Sequence, residues 1–146
     1  FIKNNCKNKV NKGKNISDSD KKLIEQTRKL TKDLRNDMAN QNLNNYIKSV
    51  LNISFLTNKY INDEEPWKLK KNNIKKMNNI LHIALEQIAK ISILLNPIIP
   101  EKSIKVLDAL NINNKLRNLS FLDGENILSD EITIKALDIL FKKTTQ

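Results

Sequence analysis

At 146 residues the chain is one domain long, enough to bury roughly two-thirds of its unfolded surface without a disulfide or metal staple. Hydrophobic residues at 39% and charged residues at 29% exclude a disordered or membrane class, and two glycines with three prolines argue against a turn-rich sheet protein. The formal charge of +10 (pI near 9.7) points to a polyanion such as RNA, DNA or an acidic membrane surface, but it cannot name one. Abundant lysine, asparagine and isoleucine also fit an A- and T-rich coding sequence.

Cys6 is the single cysteine, which implies a reducing compartment and no disulfide framework, so a cytoplasmic location is expected. No apolar run reaches the roughly 18 residues of a membrane span. The chain opens at Phe1-Ile2-Lys3 without a methionine and resembles neither a signal nor a transit peptide, so it reads as a piece of a longer polypeptide.

Residues 4–15 are dominated by asparagine and lysine and read as a solvated connector. The division expected is a connector over residues 1–16 and a helical domain over residues 17–146. Ser17-Asp18-Ser19-Asp20 supplies side-chain acceptors for the free N–H groups of a starting helix. Leu23, Thr27, Leu30, Leu34 and Met38 then recur at three- and four-residue steps, which predicts a helix over about residues 19–40. A second helix is expected over about residues 42–63. Its face is formed by Leu43, Ile47, Val50, Ser54, Thr57 and Ile61, widened by Tyr46, Leu51 and Phe55. It ends before Pro66, because proline pushes the preceding residue away from helical angles.

The third helix, over about residues 73–95, shows Ile74, Met77, Leu81, Ala84, Ile88, Ile91 and Leu95 in a seven-residue repeat, stopped by Pro97. Pro100 suits the first turn of a fourth, shorter helix carrying Ile104, Leu107 and Leu110. Residues 111–146 are less regular. Phe121-Leu122-Asp123-Gly124 marks a turn, and Ile139-Leu140-Phe141 reads as an apolar anchor that docks back on the rest. No alternating pattern is long enough to build a sheet. The fold expected is all-α: an antiparallel bundle of three long helices, a shorter fourth and an irregular C-terminal segment.

Between the second and third helices lies Pro66-Trp67, holding the only tryptophan, followed by Lys68, Lys70 and Lys71. A flat aromatic beside several positive charges suits an unpaired nucleotide, since bases stack on aromatic faces while phosphates attract lysine. A buried indole is the competing reading, because tryptophan contributes much apolar area to a core. Pro66 stiffens the loop and lowers the ordering cost of binding. Tyr60 reads as a helix-packing residue, and Asp63-Glu64-Glu65 as a solvated acidic run. His82 stands alone on the third helix, with no second His or Cys at metal-ligand spacing. There is no glycine-rich phosphate loop, no nucleophile beside a histidine and no zinc spacing, so no catalytic site and no cofactor are expected in this chain.

Asn58-Lys59-Tyr60, then Pro66-Trp67-x-Leu69-Lys70, then Leu94-Leu95-Asn96-Pro97-Ile98-Ile99-Pro100 resemble the anticodon-binding region of methionyl-tRNA synthetases, over about residues 33–143. Leu140-Phe141-Lys142-Lys143 is similar to that family's terminal Leu-(Phe/Tyr)-x-(Arg/Lys). The resemblance implies a domain of the bacterial-type enzyme that recognises the CAU anticodon. In it, the tryptophan matching Trp67 stacks on the first anticodon base, and Asn58 belongs to the surface that reads base edges. Asn62 occupies a position often acidic in relatives, and Lys143 falls where many members place an arginine. Lys59 and Lys70 are expected near phosphate.

The same resemblance implies a parent enzyme that joins methionine to tRNA using ATP and Mg on its catalytic body, against which this domain packs. The class I signatures, His-x-Gly-His and Lys-Met-Ser-Lys-Ser, are missing here. Relatives also use an asparagine and an arginine on a preceding helix, so the chain alone is expected to bind anticodon poorly. Two rivals stand beside this reading. One is the corresponding domain of another class I synthetase (valine, isoleucine, leucine or cysteine); the other is a basic helical scaffold without RNA specificity.

Overall fold

The structure, a computed structural model, describes residues 1–122 and 126–141. In chain order it comprises α1 (Ile2–Asn5), β1 (Lys9–Asn11), α2 (Asp18–Ala39), α3 (Leu43–Glu64), a 3-10 turn (Pro66–Lys70), α4 (Ile74–Leu95), α5 (Pro100–Ala109), 3-10 turns at Asn114–Leu116 and Leu119–Phe121, and β2 (Glu131–Thr133). Three helices of 22 residues each and a fourth of 10 form the expected all-α bundle. Short connections fold consecutive helices back along each other.

Each of the three long helices begins where the sequence supplies an acceptor. Ser17 accepts the Asp20 N–H at 3.2 Å while the Asp20 carboxylate accepts the Ser17 N–H at 2.9 Å, a reciprocal cap. Asn42 and Asn73 accept the N–H groups of Asn45 and Lys76 at the starts of α3 and α4. Pro100 opens α5, where its missing N–H costs nothing.

The core runs along α4, which is buried on most sides from Met77 to Leu94 and contacts α2, α3, α5 and β1. Val50, Ile53, Leu34, Ile93 and Leu94 are almost fully enclosed around it. Buried Tyr46 donates its hydroxyl to the Leu94 carbonyl at 2.6 Å, so its phenol end is satisfied. Thr27, Thr31 and Thr57 donate to carbonyls one turn back in their own helices, which lets polar residues line the α2–α3 seam.

The structure corrects several expectations. On α3 the inward face is Tyr46, Val50, Ile53, Thr57 and Tyr60, whereas Leu51 and Phe55 point outward, 59% and 70% exposed. The segment read as a solvated connector includes β1, which pairs antiparallel with β2 in the register Lys9–Thr133, Val10–Ile132 and Asn11–Glu131. Val10 and Ile132 both enter the core. A single apolar residue in each short strand carries no periodicity, so the pairing leaves no local trace. The C-terminal anchor is not Ile139-Leu140-Phe141, for Ile139 and Phe141 are exposed. Ile127, Leu128 and Ile132 dock instead. The first two are held by buried Glu86 on α4, whose two carboxylate oxygens accept the Ile127 and Leu128 N–H groups at 2.6 and 2.9 Å. His82, one turn earlier, hydrogen-bonds the Ser129 carbonyl at 2.9 Å.

Candidate nucleic-acid interface

At the end of α3, Glu65 takes a left-handed conformation (φ 44°, ψ 57°), and its N–H still closes on the Ile61 carbonyl at 3.1 Å. Pro66 cannot continue the helix and opens a 3-10 turn instead. With three residues per turn, positions 66 and 69 share one face of that turn, and 67 and 70 another. The burial follows this division. Pro66 is buried and Leu69 is half-buried against both hydrophobic clusters, so these two fasten the turn to the bundle. Trp67 is left 45% exposed, with Lys68 and Lys70 exposed beside it. The indole is open to solvent, and the buried-core reading of Trp67 does not hold.

The charges around the indole divide. Lys68 turns back onto Glu65 at 2.8 Å. Lys59, Lys70 and Lys71 are exposed and have no ion pair among the described residues. Asn58 and Asn62, four residues apart, sit on one exposed face of the last turns of α3, about 6 Å apart along the axis. Tyr60, between them in sequence, points inward and is buried. Lys143 lies outside the described residues, so its relation to the other positions is not part of the site's geometry.

Sequence reasoning missed the scaffold beneath this surface. Asp20, only 2% exposed, accepts three hydrogen bonds: from the Ser17 N–H, from the Tyr60 hydroxyl at 2.6 Å and from the Asn79 amide at 3.0 Å. One carboxylate thus joins α2, α3 and α4, and it fixes the rotation of the helix end that presents Asn58 and Asn62. Burial and the Asp20 hydrogen bond push the Tyr60 phenol well above its ordinary pKa. Glu64 is likewise no solvated charge: its carboxylate accepts the Ser19 hydroxyl and pairs with Lys76 at 3.0 Å. The capping pattern at Ser17-Asp20 was legible. The partners of Asp20 and Glu64 lie 40 or more residues away for Tyr60, Asn79 and Ser19, and such contacts carry no sequence signal. Among the described residues, no group of three His, Cys, Asp or Glu side chains is placed to hold a metal, and no helix is long and apolar enough to cross a membrane.

Comparison with known proteins fits this geometry. The family model described as the anticodon binding domain of methionyl tRNA ligase matches residues 10–146. The methionine–tRNA ligase of Rickettsia felis is 33% identical over 102 residues, covering 65% of this chain and 20% of that protein. That of Sulfurisphaera tokodaii is 27% identical over 128 residues, covering 88% of this chain and 22% of that protein. The chain therefore spans about a fifth of the length of these curated relatives. The apo crystal structure of Mycobacterium tuberculosis methionyl-tRNA synthetase superposes with a TM-score of 0.90 at 19% identity, over 99% of this chain and 30% of that one, and so shares its fold. The chain belongs to the family of anticodon-binding domains of methionyl-tRNA ligases.

Proposed function

We propose that this chain selects methionine-accepting tRNA by its CAU anticodon loop, with Trp67 as the shelf for the splayed first base. Asn58 and Asn62 then offer amide groups to base edges, and Lys59 and Lys70 offer charge to phosphates; Lys143 is assigned to the same surface by its place in the family pattern. Aromatic stacking combined with hydrogen bonds to unpaired bases is the usual route to sequence-specific RNA recognition. In the longer parent, catalysis on a separate body would join methionine to this tRNA with ATP and Mg, in the cytoplasm. The observation that carries the reading is the half-exposed Trp67 on a turn that buries Pro66 and half-buries Leu69.

The test compares anticodon stem-loops by fluorescence anisotropy. A CAU loop should bind better than loops changed at the first base, and a preference for a valine, isoleucine, leucine or cysteine anticodon would move the chain to a sister enzyme. Trp67→Ala should cost about 1–3 kcal/mol of affinity, roughly 5- to 150-fold, in a longer chain carrying the preceding helix. Because the indole is half-exposed, its melting temperature should change little. A large fall in melting temperature with unchanged RNA affinity would instead mark a scaffold.

A further inference from the structure

A cleft of about 820 Å³ opens between residues 11–17 and the first turns of α4. Four lysines line it, Lys12, Lys14, Lys75 and Lys76, against one carboxylate, Asp20. That carboxylate is 2% exposed and already accepts three hydrogen bonds, which leaves four cationic side chains against one acidic one. Lys12 reaches Asp130 and Lys76 reaches Glu64, whereas Lys14 and Lys75 are exposed and form no ion pair among the described residues.

Two features show that the lysines are not scattered surface charge. The first turn of α4 carries no acidic residue, and Lys75 and Lys76 sit where the helix dipole disfavours cations. The opposite wall is pressed close: the Gly13 N–H donates to Asn79 Oδ1 at 3.1 Å, and the Asn79 amide donates to the Asn15 carbonyl at 3.2 Å. A Cβ on Gly13 would meet the Asn79 side chain at 2.7 Å. Glycine is what allows Lys12 and Lys14 to be carried this near α4.

The cleft opens at the start of α4, and the turn that carries the indole packs on that same helix. Its wall residue Lys76 is paired with Glu64, which stands three positions before Trp67.

We propose that this cleft seats the phosphate backbone of the RNA strand whose base stacks on Trp67, with Lys14 and Lys75 as the two principal phosphate contacts. The inference rests on the anticodon-loop reading. Stacking and base-edge contacts set which loop is chosen, while the cleft adds affinity that is blind to sequence and sensitive to salt.

The test is the salt dependence of anticodon stem-loop binding, measured in a longer chain that carries the preceding helix, for its unmodified form, for Lys14→Gln with Lys75→Gln, and for a control, Lys29→Gln with Lys32→Gln on α2. Each lost phosphate contact should lower the log–log slope by about 0.7–0.9, so the cleft variant's disadvantage should shrink about 7- to 12-fold between 50 and 200 mM salt. Its loss should be equal for CAU and altered loops, and the control should follow the unmodified chain. An unchanged slope in the cleft variant, or an equal change in the control, overturns the cleft while leaving the Trp67 reading intact. An unmodified longer chain, preceding helix included, that shows no loop preference overturns both.

Discussion

Replacing Asp20 with alanine removes the acceptor at the meeting point of three helices. The three donors it leaves are not equivalent. The Ser17 N–H and the Asn79 amide border the open cleft and can turn to water, but the Tyr60 hydroxyl belongs to a side chain only 6% exposed. Hydrogen bonds to a charged acceptor contribute about 1.5–3 kcal/mol each, and a buried donor left unpaired costs about 1–3 kcal/mol. With two donors largely rehydrated and one orphaned, Asp20→Ala should cost about 3–5 kcal/mol. Tyr60→Phe, which removes the 2.6 Å partner but keeps the ring, should cost about 1–2.5 kcal/mol. Urea unfolding of both single variants and the double, followed by circular dichroism, isolates the pairwise coupling. The double variant should be more stable than the summed losses predict by about 1.5 kcal/mol or more. A coupling below about 0.5 kcal/mol would refute the node, leaving Asp20 as a helix cap alone.

Three further outcomes follow from the same contacts. Glu86→Ala strips the acceptors from two buried N–H groups and should cost about 2–5 kcal/mol, with amide exchange at Ile127 and Leu128 accelerating; continued protection of both amides would contradict the role given to Glu86. Tyr46 and Tyr60 have phenol pKa values raised above 10.0, chiefly by burial, so the folded state holds their protons when the unfolded state has released them. Their stabilisation is complete below about pH 10 and is lost as pH rises beyond it, at up to about 1.4 kcal/mol per pH unit for each, so Tyr60→Phe should flatten the alkaline limb of a stability profile. Lys90 has the opposite sign: burial lowers its pKa, so its charged form costs stability at neutral pH, and Lys90→Met should raise the melting temperature there.

Much of the bundle was readable because its punctuation is local. Ser17, Asn42 and Asn73 cap helices within three residues of themselves, and Pro66 and Pro100 act on their immediate neighbours. What stayed hidden depends on distant partners. The α3 face was misjudged because Leu51 and Phe55 are apolar yet outward, and composition cannot tell an exposed aromatic from a core one. Nothing near Val10 announces Ile132, 122 residues on. The polar stripe of α4, with Asn79, His82 and Glu86 at three- and four-residue steps, was masked by its apolar repeat. His82 and Glu86 serve a loop, and Asn79 serves both a loop and Asp20 on α2. At the candidate interface, the family pattern brought Trp67, Asn58 and Asn62 into view, but the bonds of Asp20 to Tyr60 and Asn79, and of Glu64 to Ser19, have only tertiary meaning.

Because Trp67 is the only tryptophan, its own emission reports on its role. Titrating a CAU anticodon stem-loop into a chain that carries the preceding helix should quench that emission along the binding curve seen by anisotropy, as the ring exchanges water for a stacked base. Saturable RNA binding with unaltered tryptophan emission would place the nucleotide elsewhere and contradict the account.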